Sequence, residues 1–157
     1  MDGVLVDFDR FKREHLSAKA QVDDDTMWAE LQEIPNVFRM MKPTPYAAQL
    51  WAAICHHALP SKILTAIPRK SSMPSAEGNK RDWVLDHKDR IFLGSPPDVL
   101  IGPHSKDKWR HCKPGDILID DREDNCAAWE TAGGFTVHHL GDIKTSLQRL
   151  QWLVNNL

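Results

Sequence analysis

At 157 residues, with 41% hydrophobic and 27% charged side chains, the chain is long enough to bury a core and has the composition of one ordinary globular domain, with room for a small inserted subdomain. A net charge of −2 excludes a strong field for polyanions, so a nucleic-acid polymer is not an expected partner, although a local basic pocket is compatible with it. No apolar run approaches the roughly 18 residues of a membrane span, the N-terminus lacks a signal-peptide layout, and the dispersed Cys55, Cys112 and Cys126 form neither a disulfide framework nor a zinc pattern, so a cytoplasmic protein without a membrane partner is expected.

Met1 to Val6 is short and apolar and reads as the tail of a buried strand entering a loop. Helix formers and charges from Phe8 to Lys19 predict a helix. Asp23, Asp24, Asp25 and Thr26 offer N-caps to a second helix, whose apolar Met27, Trp28, Leu31 and Ile34 fall at helical spacing before Pro35. Pro43 and Pro45 open the next helix, with Ala47, Leu50, Trp51 and Ile54 as one stripe. Lys62 to Ala66 suits a buried strand, Pro68 to Ser75 a loop, and Glu77 to Asp86 a helix with Trp83 and Val84 inward. Arg90 to Leu93 reads as a strand ended by Gly94-Ser95-Pro96-Pro97, followed by a short strand at Val99 to Ile101. Asp116 to Ile119 is the clearest buried strand. Asn125 to Thr131 is helical and stopped by Gly133-Gly134, Phe135 to Val137 is the last strand, and Thr145 to Val154 is an amphipathic helix with Leu147, Leu150 and Leu153 inside.

This alternation predicts an α/β fold: a mostly parallel sheet with helices on both faces, binding ligands at the carboxyl ends of its strands. Asp2, Thr65, Asp120 and Asp121 are predicted to lie there. Three carboxylates at one rim repel unless a cation neutralises them, and hard oxygen donors favour magnesium. Magnesium also binds phosphate oxygens, which points to phosphoryl chemistry. The Thr65 hydroxyl and the Lys80 ammonium would complete a phosphate clamp.

Four segments carry a specific likeness: residues 1–9 (MDGVLVDFD), Leu64-Thr65, residues 80–84 (KRDWV) and residues 115–125 (GDILIDDREDN). In this order and spacing they resemble the haloacid dehalogenase (HAD) superfamily of aspartate-nucleophile phosphatases, and within it the 5′(3′)-deoxyribonucleotidase, or C-type 5′-nucleotidase, group. Residues 129–134 (WETAGG) extend the likeness, which runs over almost the whole chain.

The resemblance implies a Rossmann-like HAD fold in a single domain over residues 1–157, with a small helical cap inserted at about residues 8–45 after the first motif. It implies magnesium-dependent hydrolysis of nucleoside monophosphates, deoxyribonucleotides foremost, through an aspartyl-phosphate. Asp2 matches the family's acid/base aspartate, whose backbone carbonyl also helps hold magnesium. Thr65 matches the hydroxyl that binds the transferring phosphoryl group, with Ala66 beside it, and Lys80 matches the charge-offsetting lysine. Asp120 and Asp121 match the acidic pair that anchors magnesium. Phe11, Trp28, Phe38 and Met41 are candidates for stacking on a base or packing the cap. The expected partner is a small phosphomonoester, a nucleotide, and a homodimer is a candidate assembly.

In the family the nucleophile would stand immediately before Met1, at the end of a central apolar strand. We expect an upstream segment ending in apolar residues and an aspartate to belong to the natural protein, with Met1 an internal methionine. The alternatives are a catalytically inactive HAD-like protein that keeps a nucleotide- or partner-binding pocket, and a structural domain that does neither. Several residues have plainer expectations. Asp7 and Asp9 should cap a helix, Asp121 could also be an N-cap, and Arg69, Lys70, Lys106 and Lys108 should be solvated. The pairs His56-His57 and His138-His139 should be structural or exposed, Cys126 a small buried residue, and most of the six tryptophans core or cap.

Overall fold

Short apolar runs between polar or turn-forming residues become the four strands of this computed structural model, which describes residues 1–68, 72–102 and 104–157. Strand β1 (Ile63–Ala66) pairs in parallel with β2 (Val99–Gly102), and β3 (Ile117–Asp120) pairs in parallel with β4 (Phe135–His138). Parallel neighbours need a crossover, and each pair has one. Helix α5 (Ala76–Asp86) lies between β1 and β2, and α6 (Glu123–Thr131) between β3 and β4. Ahead of them come α1 (Phe8–His15), α2 (Asp24–Glu33), α3 (Val37–Met40) and α4 (Ala47–His56), and α7 (Ile143–Asn156) closes the chain. A 3₁₀ segment, Ser105–His111, separates β2 from β3. The architecture is therefore mixed α/β with short parallel strands.

The helix starts follow local chemistry. Asp7 caps α1 by accepting from the backbone N–H of Arg10 at 3.0 Å, Asp23 caps α2 through Thr26 at 2.9 Å, and Asp142 caps α7 through Lys144 at 3.0 Å. Asp9, in the first turn of α1, pairs with Lys12 at 2.8 Å. Among the described residues no helix is long and apolar enough to cross a membrane.

Two strand expectations are corrected. Met1 to Val6 forms a turn touched only by isolated bridges, Asp2 to Val6 and Val6 to Pro43. Its backbone bonds close locally, with the N–H groups of Val4, Leu5 and Val6 all donating to the Met1 carbonyl. The expected single sheet is accordingly two separate two-stranded sheets among the described residues. Arg90 to Leu93 is likewise a turn. The N–H groups of Ile91 and Phe92 donate to His87 and Lys88, continuing helical bonding past α5, and both side chains are buried. Helix α1 stops short of Lys19, and Ser17 turns instead onto the carboxylate of Glu30. Most of the expected loop from Pro68 to Ser75 is described, but Arg69, Lys70 and Ser71 lie outside the described residues.

One large core joins the N-terminal turn, the first four helices, β1 and α5, with Val6, Leu31, Leu50, Trp83 and Phe92 at its centre. A smaller cluster of Val137, Leu150 and Leu153 lies between β4 and α7, and Ile54 and Ile119 pack against both. Trp83 ties the large core together. It is fully buried, its indole N–H donates to the Met41 carbonyl at 2.7 Å, and its ring stacks on His87 at 4.3 Å. Trp83→Ala should cost about 3–5 kcal/mol of stability in urea unfolding. A loss below about 1 kcal/mol would contradict this packing.

Candidate active site

A lysine ammonium has three protons to donate and tolerates burial only when they are used. Lys80, on α5, is 1% exposed and uses all three. Its Nζ donates to Asp2 Oδ2 at 2.5 Å, to Thr65 Oγ1 at 3.1 Å and to the Ala66 carbonyl at 2.9 Å. It also lies 4.7 Å from the centre of the Phe38 ring. The N-terminal turn, the end of β1 and the middle of α5 thus meet at one ammonium group. Burial pushes the Asp2 carboxyl up, but Lys80, the N-terminal ammonium and Lys108 together outweigh it and the net shift is downward. The second oxygen of Asp2, Oδ1, is buried without a hydrogen-bond partner among the described residues.

A second ammonium serves the end of β3. Lys108, on the 3₁₀ segment, is 7% exposed and donates to Asp120 Oδ2 at 2.5 Å. The other oxygen of Asp120, Oδ1, accepts from Asn125 Nδ2 at 2.8 Å and from the Arg122 backbone at 3.1 Å. Asn125 also donates to Ser105 Oγ at 3.1 Å, so α6 is braced to the segment that carries Lys108. Burial raises the Asp120 carboxyl, but Lys108, the N-terminal ammonium and Asn125 together outweigh it, and the net direction is down.

Asp121 differs from its neighbour. It is half-buried, and among the described residues it makes no ion pair. Burial, then the negative charge of Asp120, push its carboxyl above the ordinary carboxylate range. Its side chain lies directly against Gly3, whose φ is +72°, and a Cβ on Gly3 would stand 2.1 Å from Asp121 Oδ2. Only glycine permits both the backbone conformation and the approach. The exposed His138, at the end of β4, places Nε2 3.1 Å from the Asp121 carbonyl.

These groups border a cavity of about 430 Å³. Asp2, Thr65, Lys80, Lys108 and Asp121 form one wall, with Phe8, Trp28 and Phe38 among the other lining residues. Asp120 lies beneath, 1% exposed. Of the expected substrate-contacting residues, Thr65, Ala66, Lys80 and Trp28 line the cavity. Phe11 does not: it points into the core, 3% exposed, with its ring 4.4 Å from His15. The inward face of α1 takes it, a correction of its assignment to substrate binding. Met41 is also core, while Phe38 is both core and cavity wall.

Asp121 is not a helix cap, since the N-cap of α6 is Arg122 and has no side-chain cap bond. Cys126 is buried as expected. His139 is buried, with Nδ1 2.7 Å from Ser146 Oγ, and His56 is exposed. Lys106 is exposed, whereas Arg69 and Lys70 fall outside the described residues. Lys108 is the principal residue that sequence reasoning missed. A signal was present: Asp2, Asp120 and Asp121 at one rim exceed what Lys80 alone can neutralise. Asn125 and Ser105 were missed as well, because a polar brace between a helix start and a 3₁₀ turn leaves no periodic trace.

Among the described residues no group of three or more His, Cys, Asp or Glu is arranged to hold a metal. The donors instead suit a hard cation held by fewer protein ligands. Among the described residues Asp2 Oδ1 is buried without a hydrogen-bond partner and Asp121 makes no ion pair, and magnesium commonly takes only one or two carboxylates with substrate and water oxygens completing its shell. Comparison with known proteins gives no relative: no family model, no curated protein and no solved structure matches this chain.

The adjacent aspartates should respond oppositely to neutralisation. Asp120 has a depressed folded pKa, so its contribution is present above its unfolded pKa and lost as pH falls through the folded value. Asp121 has a raised folded pKa, so its contribution is present below its unfolded pKa and lost as pH rises through the folded value. At pH 7 without added metal, Asp121→Asn should therefore raise the urea midpoint. Asp120→Asn should lower stability by about 3–5 kcal/mol, because Lys108 is left buried and unpaired. Equal effects of the two variants would contradict the assignment.

Proposed function

We propose that this chain carries the acid/base, phosphate-binding and cation-binding parts of a magnesium-dependent phosphatase of the HAD type, acting on nucleoside monophosphates and foremost on deoxyribonucleotides. In this reading the core has the Rossmann-like HAD arrangement, residues 8–45 form the cap, and the substrate comes from a cytoplasmic nucleotide pool. The observation that carries it is the Lys80 ammonium, which gathers Asp2 from 78 positions away and Thr65 from 15 positions away at the wall of a cavity.

The chemistry follows from charge. Asp2 and Asp120 are already paired with Lys80 and Lys108, so Asp121 is the rim carboxylate that makes no ion pair among the described residues, while Arg122 lines the same cavity. Magnesium held by Asp120 and Asp121, with the Asp2 backbone carbonyl as the family resemblance implies, would add positive charge and screen the phosphoryl oxygens. Thr65 Oγ and Lys80 Nζ are the donors for those oxygens. Asp2 rests as a carboxylate paired with Lys80. Asp2 is the group that would protonate a leaving alkoxide, the role the family resemblance implies for it. Trp28, exposed at the cavity, and Phe8 offer aromatic faces to a base.

A second reading is a nucleotide- or partner-binding protein without turnover. It is favoured by Asp2 and Asp120 being already neutralised by lysines. One experiment separates the two: phosphate release from deoxyribonucleoside monophosphates by a protein extended through the upstream reading frame, with and without magnesium. We expect magnesium-dependent release that falls by about 100-fold or more in Asp2→Asn. Nucleotide binding with no release above the Asp2→Asn background would favour the second reading.

A further inference from the structure

The buried pair Lys108–Asp120 lies under the acidic rim, and its hydrogen bonds leave little room for another ligand. Both oxygens of Asp120 are engaged, Oδ2 by Lys108 and Oδ1 by Asn125 and the Arg122 backbone. The three donors differ in kind. The Arg122 N–H belongs to the cap of α6, and Asn125 lies within that helix, 2% exposed and bonded to Ser105. Of the three donors only the Lys108 ammonium is charged, since Arg122 donates through its backbone N–H, and Lys108 and Arg122 both line the cavity. Its flexible stem allows the ammonium to leave Asp120 and remain at the cavity wall.

A divalent cation and an ammonium carry the same sign. At contact distance in a buried setting they cannot both hold one carboxylate without strong mutual repulsion. Lys80 is placed differently, because Thr65 and Ala66 would still hold it if Asp2 turned to another partner. Among the described residues Lys108 has one such acceptor, Asp120. We infer that Lys108 sets the metal affinity of this rim: its ammonium and a divalent cation compete for the Asp120 carboxylate, and the cation enters by displacing the ammonium into the cavity. The inference rests on the proposed reading that the rim takes a divalent cation.

The consequence is opposite to that of a lysine that merely supports the site. Removing Lys108 leaves a buried carboxylate short of positive charge, so metal binding should tighten. The test is calorimetric titration of the 157-residue chain with Mg²⁺ and Mn²⁺ at pH 7, comparing wild type, Lys108→Met and Lys108→Arg. Lys108→Met should bind about tenfold or more tightly than wild type, a common size for coupling between sites. Lys108→Arg, which keeps the charge, should stay close to wild type.

Lys108→Met could unfold without metal, so the shift of its unfolding midpoint with Mn²⁺ is the second readout. Mn²⁺ should restore or raise that midpoint, and by more than it does for wild type. Failure of Mn²⁺ to do so would overturn the inference. Equal or weaker metal binding by Lys108→Met, with wild type binding normally, would overturn the competition and leave the magnesium reading standing. No metal binding by wild type or by Lys108→Met would overturn both.

Discussion

A carboxylate placed at the buried end of a strand must meet a positive charge, and that constraint organises this protein. Asp120 ends β3 and is almost wholly buried, so the 3₁₀ segment folds back to bring Lys108 onto it. Lys80, buried in α5, needs acceptors in the same way and finds them at the end of β1 and in the N-terminal turn. Desolvating an ion is expensive unless geometry and hydrogen bonds compensate, so these contacts restrict how the two βαβ units can be arranged. The stability carried by Asp2 and Asp120 is present above the unfolded carboxylate pKa, near 4, and lost as pH falls through their depressed folded values.

Asp121 is the exception that gives the site its direction. The same turn that provides Asp120 with three donors leaves its neighbour without an ion pair among the described residues and pressed against Gly3. A protein selected only for stability would have little use for such a carboxylate. Perturbed acids in a cavity beside buried cationic donors are a recognised mark of function. Phe8, Trp28 and Phe38 add apolar surface to that cavity, and the basic groups add sign without a large net charge on the chain.

Much of the local structure was legible because local chemistry decided it. Asp23 marked the start of α2, the stripe of Ala47, Leu50 and Trp51 marked α4, and the apolar runs at Ile63 and Ile117 marked β1 and β3. What was not legible depended on distant partners. Met1 to Val6 has strand composition, yet the N–H groups of Val4, Leu5 and Val6 turn back on Met1 around a glycine at positive φ while the distant Thr44 N–H takes the Leu5 carbonyl. Ile91 and Phe92 are apolar and buried, but helical bonding inherited from α5 overrides their strand propensity. At the site, Asp2, Thr65, Lys80 and Asp121 were recognisable by residue type at strand and helix ends. Lys108 was not, since nothing near it in sequence distinguishes a buried lysine from a solvated one. Phe11 was misassigned for a related reason: an aromatic on a cap helix can face the core or the cavity, and the side is chosen by packing.

The convergence of separated segments at Lys80 is tested most directly by a double-mutant cycle in urea unfolding, using Asp2→Asn, Lys80→Met and the pair combined. If the two side chains meet as described, the cycle should return a coupling of at least about 1 kcal/mol. Additivity within about 0.3 kcal/mol would mean that Asp2 and Lys80 do not share one site, and the arrangement built on their contact would be wrong.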